Sequence, residues 1–274
     1  MKNGFLSLLL IASLGYAPSY ATEPTTNAVD PHAAAAAHQA AVIPSHAPVA
    51  KEEKKAEPQH GHAPAPSAAQ GHHAVAAGVP ADKALTWLKN GNKRYLNGFL
   101  RKDGQSAKDR EKLASGQQPH TIVLSCSDSR VPPELVFDQK LGEIFVVRTA
   151  GEALDSSAIA SIEYAVEHLG SQLILVMGHT SCGAVKAALG TMNGGDAGSP
   201  SLNKLVADLH PRLKEFASKA PSEGVKAESW ANAKGVAKDL QERSKIVGDK
   251  VNAGALKVKV ALYHLGSGVV DFQD

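Results

Sequence analysis

Cysteine is scarce in this chain, 2 in 274 residues. That excludes the dense disulfide framework that staples small secreted scaffolds. An excess of charge of one sign is missing too: 29 Lys and Arg against 27 Asp and Glu leave a net +2, which gives no long-range field to draw in nucleic acid. No internal repeat supports a collagen-like or coiled-coil chain, and no apolar run reaches the roughly 20 residues that cross a bilayer as a helix. What is present is 43% hydrophobic residues, enough for one sizeable domain.

The first stretch places Lys2 ahead of an apolar run from Phe5 to Leu14, then Ser19-Tyr20-Ala21 in a small-x-small pattern. This predicts a cleaved signal peptide over residues 1–21 and a mature protein in the periplasm or otherwise outside the cytoplasm, with no membrane span. Residues 22–79 are rich in Ala, Pro and His, and from Thr22 to Gly78 there is no Leu, Phe, Trp or Tyr. A segment with nothing to bury is expected to be a disordered tether. Seven of the 12 histidines fall there, at 32, 38, 46, 60, 62, 72 and 73. Imidazoles can take up zinc or copper, but the irregular spacings close no defined ligand set.

The composition changes at Val79-Pro80, and residues 80–274 are expected to form the folded domain. Leu85, Leu88, Tyr95, Leu96 and Phe99 recur near one face of a first helix. Thr121–Ser125, Ile144–Val147 and Leu173–Met177 are short continuous apolar runs, the pattern of strands buried on both faces. Ser157–Leu169 carries a helical apolar face stopped by Gly170. Strand, helix, strand implies a parallel sheet. Two further helices are expected over Ser201–Ala220, interrupted by Pro211, and Ala227–Val247. A strand and turn follow over Val258–Leu265, Gly266-Ser267-Gly268 and Val269-Val270. The fold class is α/β, a mainly parallel central sheet flanked by helices.

Both cysteines fall just past the C-terminal ends of expected parallel strands, where open α/β sheets place their ligands. His179 and Cys182 share one strand-to-helix turn and Cys126 arrives from another strand, a three-ligand zinc set that leaves one position open. Asp128 lies two residues from Cys126 and could close that position as a fourth metal ligand, unless it pairs with the guanidinium of Arg130. A disulfide between the cysteines, residues without mutual contact, and a closed structural zinc all remain open on spacing alone.

Four ordered motifs go further. Cys126-Ser-Asp-Ser-Arg130 with Val131-Pro132, Gly142-Glu-Ile-Phe-Val-Val-Arg148, Gly178-His-Thr-Ser-Cys-Gly183 and Gly91-Asn92-Lys-Arg-Tyr95 resemble the β-class carbonic anhydrase family. The likeness runs from about Pro80 to the end of the chain. It implies a zinc enzyme that hydrates carbon dioxide to bicarbonate and a proton, with one Zn2+ per subunit held by Cys126, His179 and Cys182. It also implies a hydroxide on the zinc gated by catalytic Asp128 and Arg130.

The same resemblance puts Gln117, Phe145 and Tyr164 at the substrate; for an uncharged linear substrate, Val131 is expected as a further apolar wall and the Gly183 backbone amide as a donor to an oxygen. It implies a pocket completed across a homodimer, or within a homotetramer. One departure stands out: members with a non-catalytic bicarbonate site carry Trp three residues before the first Cys ligand, where this chain has Val123. That form of inhibition is therefore not expected, although Arg148 fits another part of the pattern. A hydrolase of carbon disulfide or carbonyl sulfide on the same fold, and a non-catalytic zinc or thiol-redox protein, are the alternatives.

Overall fold

A computed structural model describes residues 78–273. The expected signal peptide and all but the last two residues of the expected tether lie outside the described residues. Five strands form one sheet in the order β2-β1-β3-β4-β5: β1 Thr121–Cys126, β2 Ile144–Thr149, β3 Leu173–His179, β4 Lys257–Tyr263 and β5 Val270–Phe272. The first four are mutually parallel and β5 is antiparallel to β4. Every residue of β1 and β3 is buried, as their unbroken apolar runs require once helices cover both faces.

Eight helices surround the sheet: α1 Ala81–Leu96, α2 Ala107–Leu113, α3 Pro133–Val136, α4 Ser156–His168, α5 Gly183–Thr191, α6 Pro200–Leu213, α7 Lys226–Arg243 and α8 Lys245–Asn252. On one face Ile122, Leu124, Ile174 and Val176 meet Ile162 of α4, Val236 and Leu240 of α7 and Val247 of α8. On the other, Val123, Leu173, Leu175 and Met177 meet Ala84 and Leu88 of α1 and Val136 of α3. Each large aliphatic side chain so buried contributes about 1.5–3 kcal/mol. No helix among the described residues is long and apolar enough to cross a membrane.

Several expected boundaries move, each for a local reason. Leu96 and Phe99 are exposed rather than on the packed face of α1; the helix ends at Leu96, so Phe99 no longer follows its period. Pro211 does not interrupt α6, which runs on to Leu213 before tightening into a 3₁₀ turn over Lys214–Phe216. The stretch expected as one helix over Ala227–Val247 breaks at Ser244. That residue takes an extended conformation, accepts from Val247 N and donates to Glu163 Oε1 at 2.6 Å. It is an N-cap serine inside an otherwise helical pattern.

The Gly91-Asn92 pair explains how α1 seats. A Cβ on Gly91 would stand 1.7 Å from the Phe137 carbonyl oxygen, so only glycine allows this approach. Buried Asn92 donates to the carbonyls of Val136 (3.2 Å) and Gly268 (3.0 Å) and accepts from Val270 N (3.1 Å). One amide thus ties α1 to α3 and β5. Asn92→Leu leaves three buried backbone groups unpaired and should cost at least about 2 kcal/mol, read as a lowered midpoint in urea unfolding.

Candidate metal centre

The strand order doubles back between β1 and β3: from β1 the chain goes outward to β2, then returns to the other side of β1. Cys126 ends β1 and His179 ends β3, so the two sit side by side at the switch point, at the carboxyl ends of the strands. Cys182 is the N-cap of α5. One ligand atom from each of Cys126, His179 and Cys182 lies within 4.8 Å of the others, and all three residues are buried. Both cysteines are free thiols.

The ring of His179 donates through Nδ1 to the Thr180 carbonyl at 2.9 Å, which leaves Nε2 as the lone-pair nitrogen. That Nε2 is buried and has no hydrogen-bond partner among the described residues. A buried nitrogen without a partner is costly; facing two sulfurs, it fits a soft divalent cation. The turn that aims it is pinned by Thr180 N donating to the Tyr263 carbonyl (3.0 Å), Leu265 N to Thr180 Oγ1 (3.1 Å) and Ser181 N to the Gly224 carbonyl (2.5 Å). Ser181 itself is in the left-handed region at φ +58°, a conformation that persists only where surroundings impose it.

Asp128 is not one of the three clustered donors. Arg130 holds its carboxylate through Nε to Oδ1 (2.9 Å) and Nη2 to Oδ2 (2.7 Å), with Arg130 N also donating to Oδ1 (2.9 Å). This is the bidentate fork, and it keeps the Asp128 carboxyl well below its ordinary range, the Arg130 hydrogen bond being the main cause. Oδ2 still lies 3.9 Å from His179 Nε2, at the rim of the donor cluster. Arg148 fixes the connecting loop by donating to the carbonyls of Cys126 (2.9 Å) and Asp128 (2.6 Å).

The two thiols share one charge. Cys126 is pulled down to about 4 because Cys182 hydrogen-bonds to its sulfur, against a desolvation that opposes ionisation, with the Gly151 N–H at 3.3 Å helping. Cys182 is pushed up, since it gives that hydrogen bond and is buried.

The remaining residues singled out by sequence fall elsewhere. Gly183 is exposed at the first position of α5 beside Cys182. Val131 is buried against the α1 side of the core and forms no open wall. Gln117 precedes β1, whose ladder already begins with His120 N donating to Glu143 O. At about 3.3 Å per residue the strand carries Cys126 some 20 Å from that point, beyond reach of Gln117. Phe145 pairs with Ile122, four positions from the Thr149 that faces Cys126, or about 13 Å along the strand. Tyr164 is half exposed on α4, and Phe145 packs against the core that α4 covers.

Other residues at the centre escaped the sequence reading: Thr149 at the end of β2, Gly151 and Glu152 in the turn after it, and Asn232 on α7. The turn could have been found, because it follows a parallel strand as Cys126 does. Asn232 carried no signal, being an amide on a helix far along the chain.

Two sulfurs and an imidazole gathered at the switch point of a parallel sheet define a metal-binding centre of the catalytic, three-donor type. The family model for carbonic anhydrase matches residues 121–270. Carbonic anhydrase 2 of Mycobacterium tuberculosis is 36% identical over 198 residues, covering 68% of this chain and 90% of that protein. Among solved structures, a β-carbonic anhydrase of Aspergillus fumigatus superposes with TM-score 0.55 at 27% identity, over 70% of this chain and 90% of the other. A tetrameric β-carbonic anhydrase of Sordaria macrospora shares the fold with TM-score 0.53 at 24% identity, over 70% and 93%. The chain belongs to the β-class carbonic anhydrase family.

The thiol pair gives a pH signature to the metal-free protein. The lowered Cys126 adds stability that is complete above the ordinary thiol pKa and lost as pH falls through about 4. The raised Cys182 adds stability that is complete below the ordinary range and lost as pH rises beyond it. For this pair alone the contribution is greatest near the free-thiol value of about 8.5; the difference in urea midpoint between the metal-free protein and its Cys126→Ser variant, followed across pH, should fall as pH drops below that value.

Proposed function

We propose that this protein hydrates carbon dioxide reversibly to bicarbonate and a proton, using one Zn2+ per chain held by Cys126, His179 and Cys182. The observation that carries the reading is the buried, unpartnered Nε2 of His179 converging with two free sulfurs, in a chain of the carbonic anhydrase family. Zinc, when bound, supplies the Lewis acidity that brings the ionisation of water to about pH 7.

The chain's own groups do the rest. Arg130 holds Asp128 away from the donor cluster, so the carboxylate serves as a hydrogen-bond acceptor there instead of a fourth ligand. Accepting a hydrogen bond from the attacking oxygen turns one of that oxygen's lone pairs toward the carbon of carbon dioxide. The exposed N–H of Gly183, in the first turn of α5, is placed to donate to a substrate oxygen where the helix dipole favours negative charge.

Gln117, Phe145 and Tyr164 serve a second copy's site in this reading. What supports it is the position of β2 at the edge of the sheet among the described residues, with Tyr164 exposed beyond it. The working unit is then a homodimer or homotetramer.

Stopped-flow hydration on zinc-quantified protein tests the proposal; zinc-loaded protein without acceleration over buffer would refute it. Asp128→Ala should keep zinc while turnover falls about a hundredfold or more. Arg130→Gln should raise the Asp128 carboxyl toward the ordinary range, followed by carboxyl-carbon NMR titration, with turnover reduced as Asp128 competes for the metal.

A further inference from the structure

Behind the Cys126 sulfur lies an arrangement that neither the three donors nor the Asp128–Arg130 pair accounts for. The turn after β2 places two successive residues in the left-handed region, Gly151 at φ +63° and Glu152 at φ +54°. Glycine adopts this freely; a glutamate does so only when held. The holder is Asn232, fully buried on α7. Its Nδ2 donates to the Gly151 carbonyl at 2.8 Å and to Glu152 Oε2 at 3.1 Å. From the same glycine, the backbone N–H donates to Cys126 Sγ at 3.3 Å.

Packing does not explain the amide. From Asn232 onward the inward face of α7 is Ala233, Val236, Ala237 and Leu240, all in the apolar core, with Glu228 and Ser229 buried one turn before it. Asn232 Oδ1 and Glu152 Oε1 are buried with no partner among the described residues, so this polar pair is kept against the cost of desolvation. The turn is also closely packed: a Cβ on Gly151 would stand 2.8 Å from both Ala184 Cβ and Leu209 Cδ2, so only glycine fits there. Packing holds the glycine in place, and the hydrogen bonds from Asn232 add direction to the peptide that carries its N–H.

We propose that Asn232 is a positioning residue of the metal centre: by holding the Gly151–Glu152 turn it aims the Gly151 N–H at the Cys126 sulfur and sets how strongly that sulfur donates to the metal. The inference rests on Cys126 being a metal ligand. An N–H directed at a thiolate draws charge from it, leaving the metal the stronger Lewis acid. Without the clamp the sulfur donates more, and the pH at which activity develops moves upward.

The test uses the full chain in its native assembly, loaded with cadmium-113 for NMR and with zinc for kinetics. Wild type should show a through-hydrogen-bond coupling between the Gly151 amide proton and cadmium. Asn232→Leu should retain one metal per chain but lose that coupling and shift the cadmium resonance. Its zinc form should lose about 10- to 100-fold in activity at neutral pH, with the midpoint of the kcat profile displaced to higher pH.

Leu240→Ala, two turns further along the same helix face, is the stability-matched control and should leave resonance and midpoint in place. An Asn232→Leu protein with unchanged cadmium shift and pH midpoint overturns the proposal, as does a wild type that binds cadmium without the coupling. If Asn232→Leu does not fold, that wild-type coupling decides alone. A wild type that takes up no cadmium or zinc overturns the underlying metal reading instead.

Discussion

The whole site depends on the parallel pairing of β1 with β3. Ile122 to Ser125 pair in register with Ile174 to Met177, so the two strands end side by side, and a sulfur and an imidazole from distant parts of the sequence become neighbours. Burial on both faces enforces that register. Slipping β1 by a residue would turn Leu124 out of one core and Val123 out of the other, and slipping β3 would do the same to Val176 and Leu175. Metal chemistry is thus inherited from hydrophobic packing, with no long polar network needed to bring the first two donors together.

Charge is arranged around this pair with some economy. Two sulfurs in a buried place resist carrying two negative charges, and burial together with the Cys126 charge pushes the nearby Glu152 carboxyl well above its ordinary range. Asp128 is handled the opposite way: the Arg130 guanidinium at its side holds its carboxyl below the ordinary range. The same residue type, a carboxyl group, is thereby shifted upward on one side of the centre and downward on the other by surroundings alone.

Much of this was legible in the sequence. Unbroken apolar runs gave away the buried strands, and the cysteines' places just after them gave the donor set its location. The Cys126-Ser-Asp-Ser-Arg130 spacing was enough to raise the competition between metal and guanidinium for Asp128, and a bidentate Asp128–Arg130 pair is what the fold forms. Harder to read were features made by tertiary contact. Short α3 and α5 lack the length for a periodic pattern, and Ser244 breaks a helix by capping the next one. Gln117, Phe145 and Tyr164 illustrate another limit: counting from a motif names residues without fixing where the fold puts them relative to the donor cluster.

The turn bearing His179 and Cys182 is closed by the Tyr263 carbonyl, from the last long strand, and by Gly224. That turn is complete only once β4 has paired with β3. Before that pairing both sulfurs are unconstrained thiols, for which an oxidant and a metal ion compete.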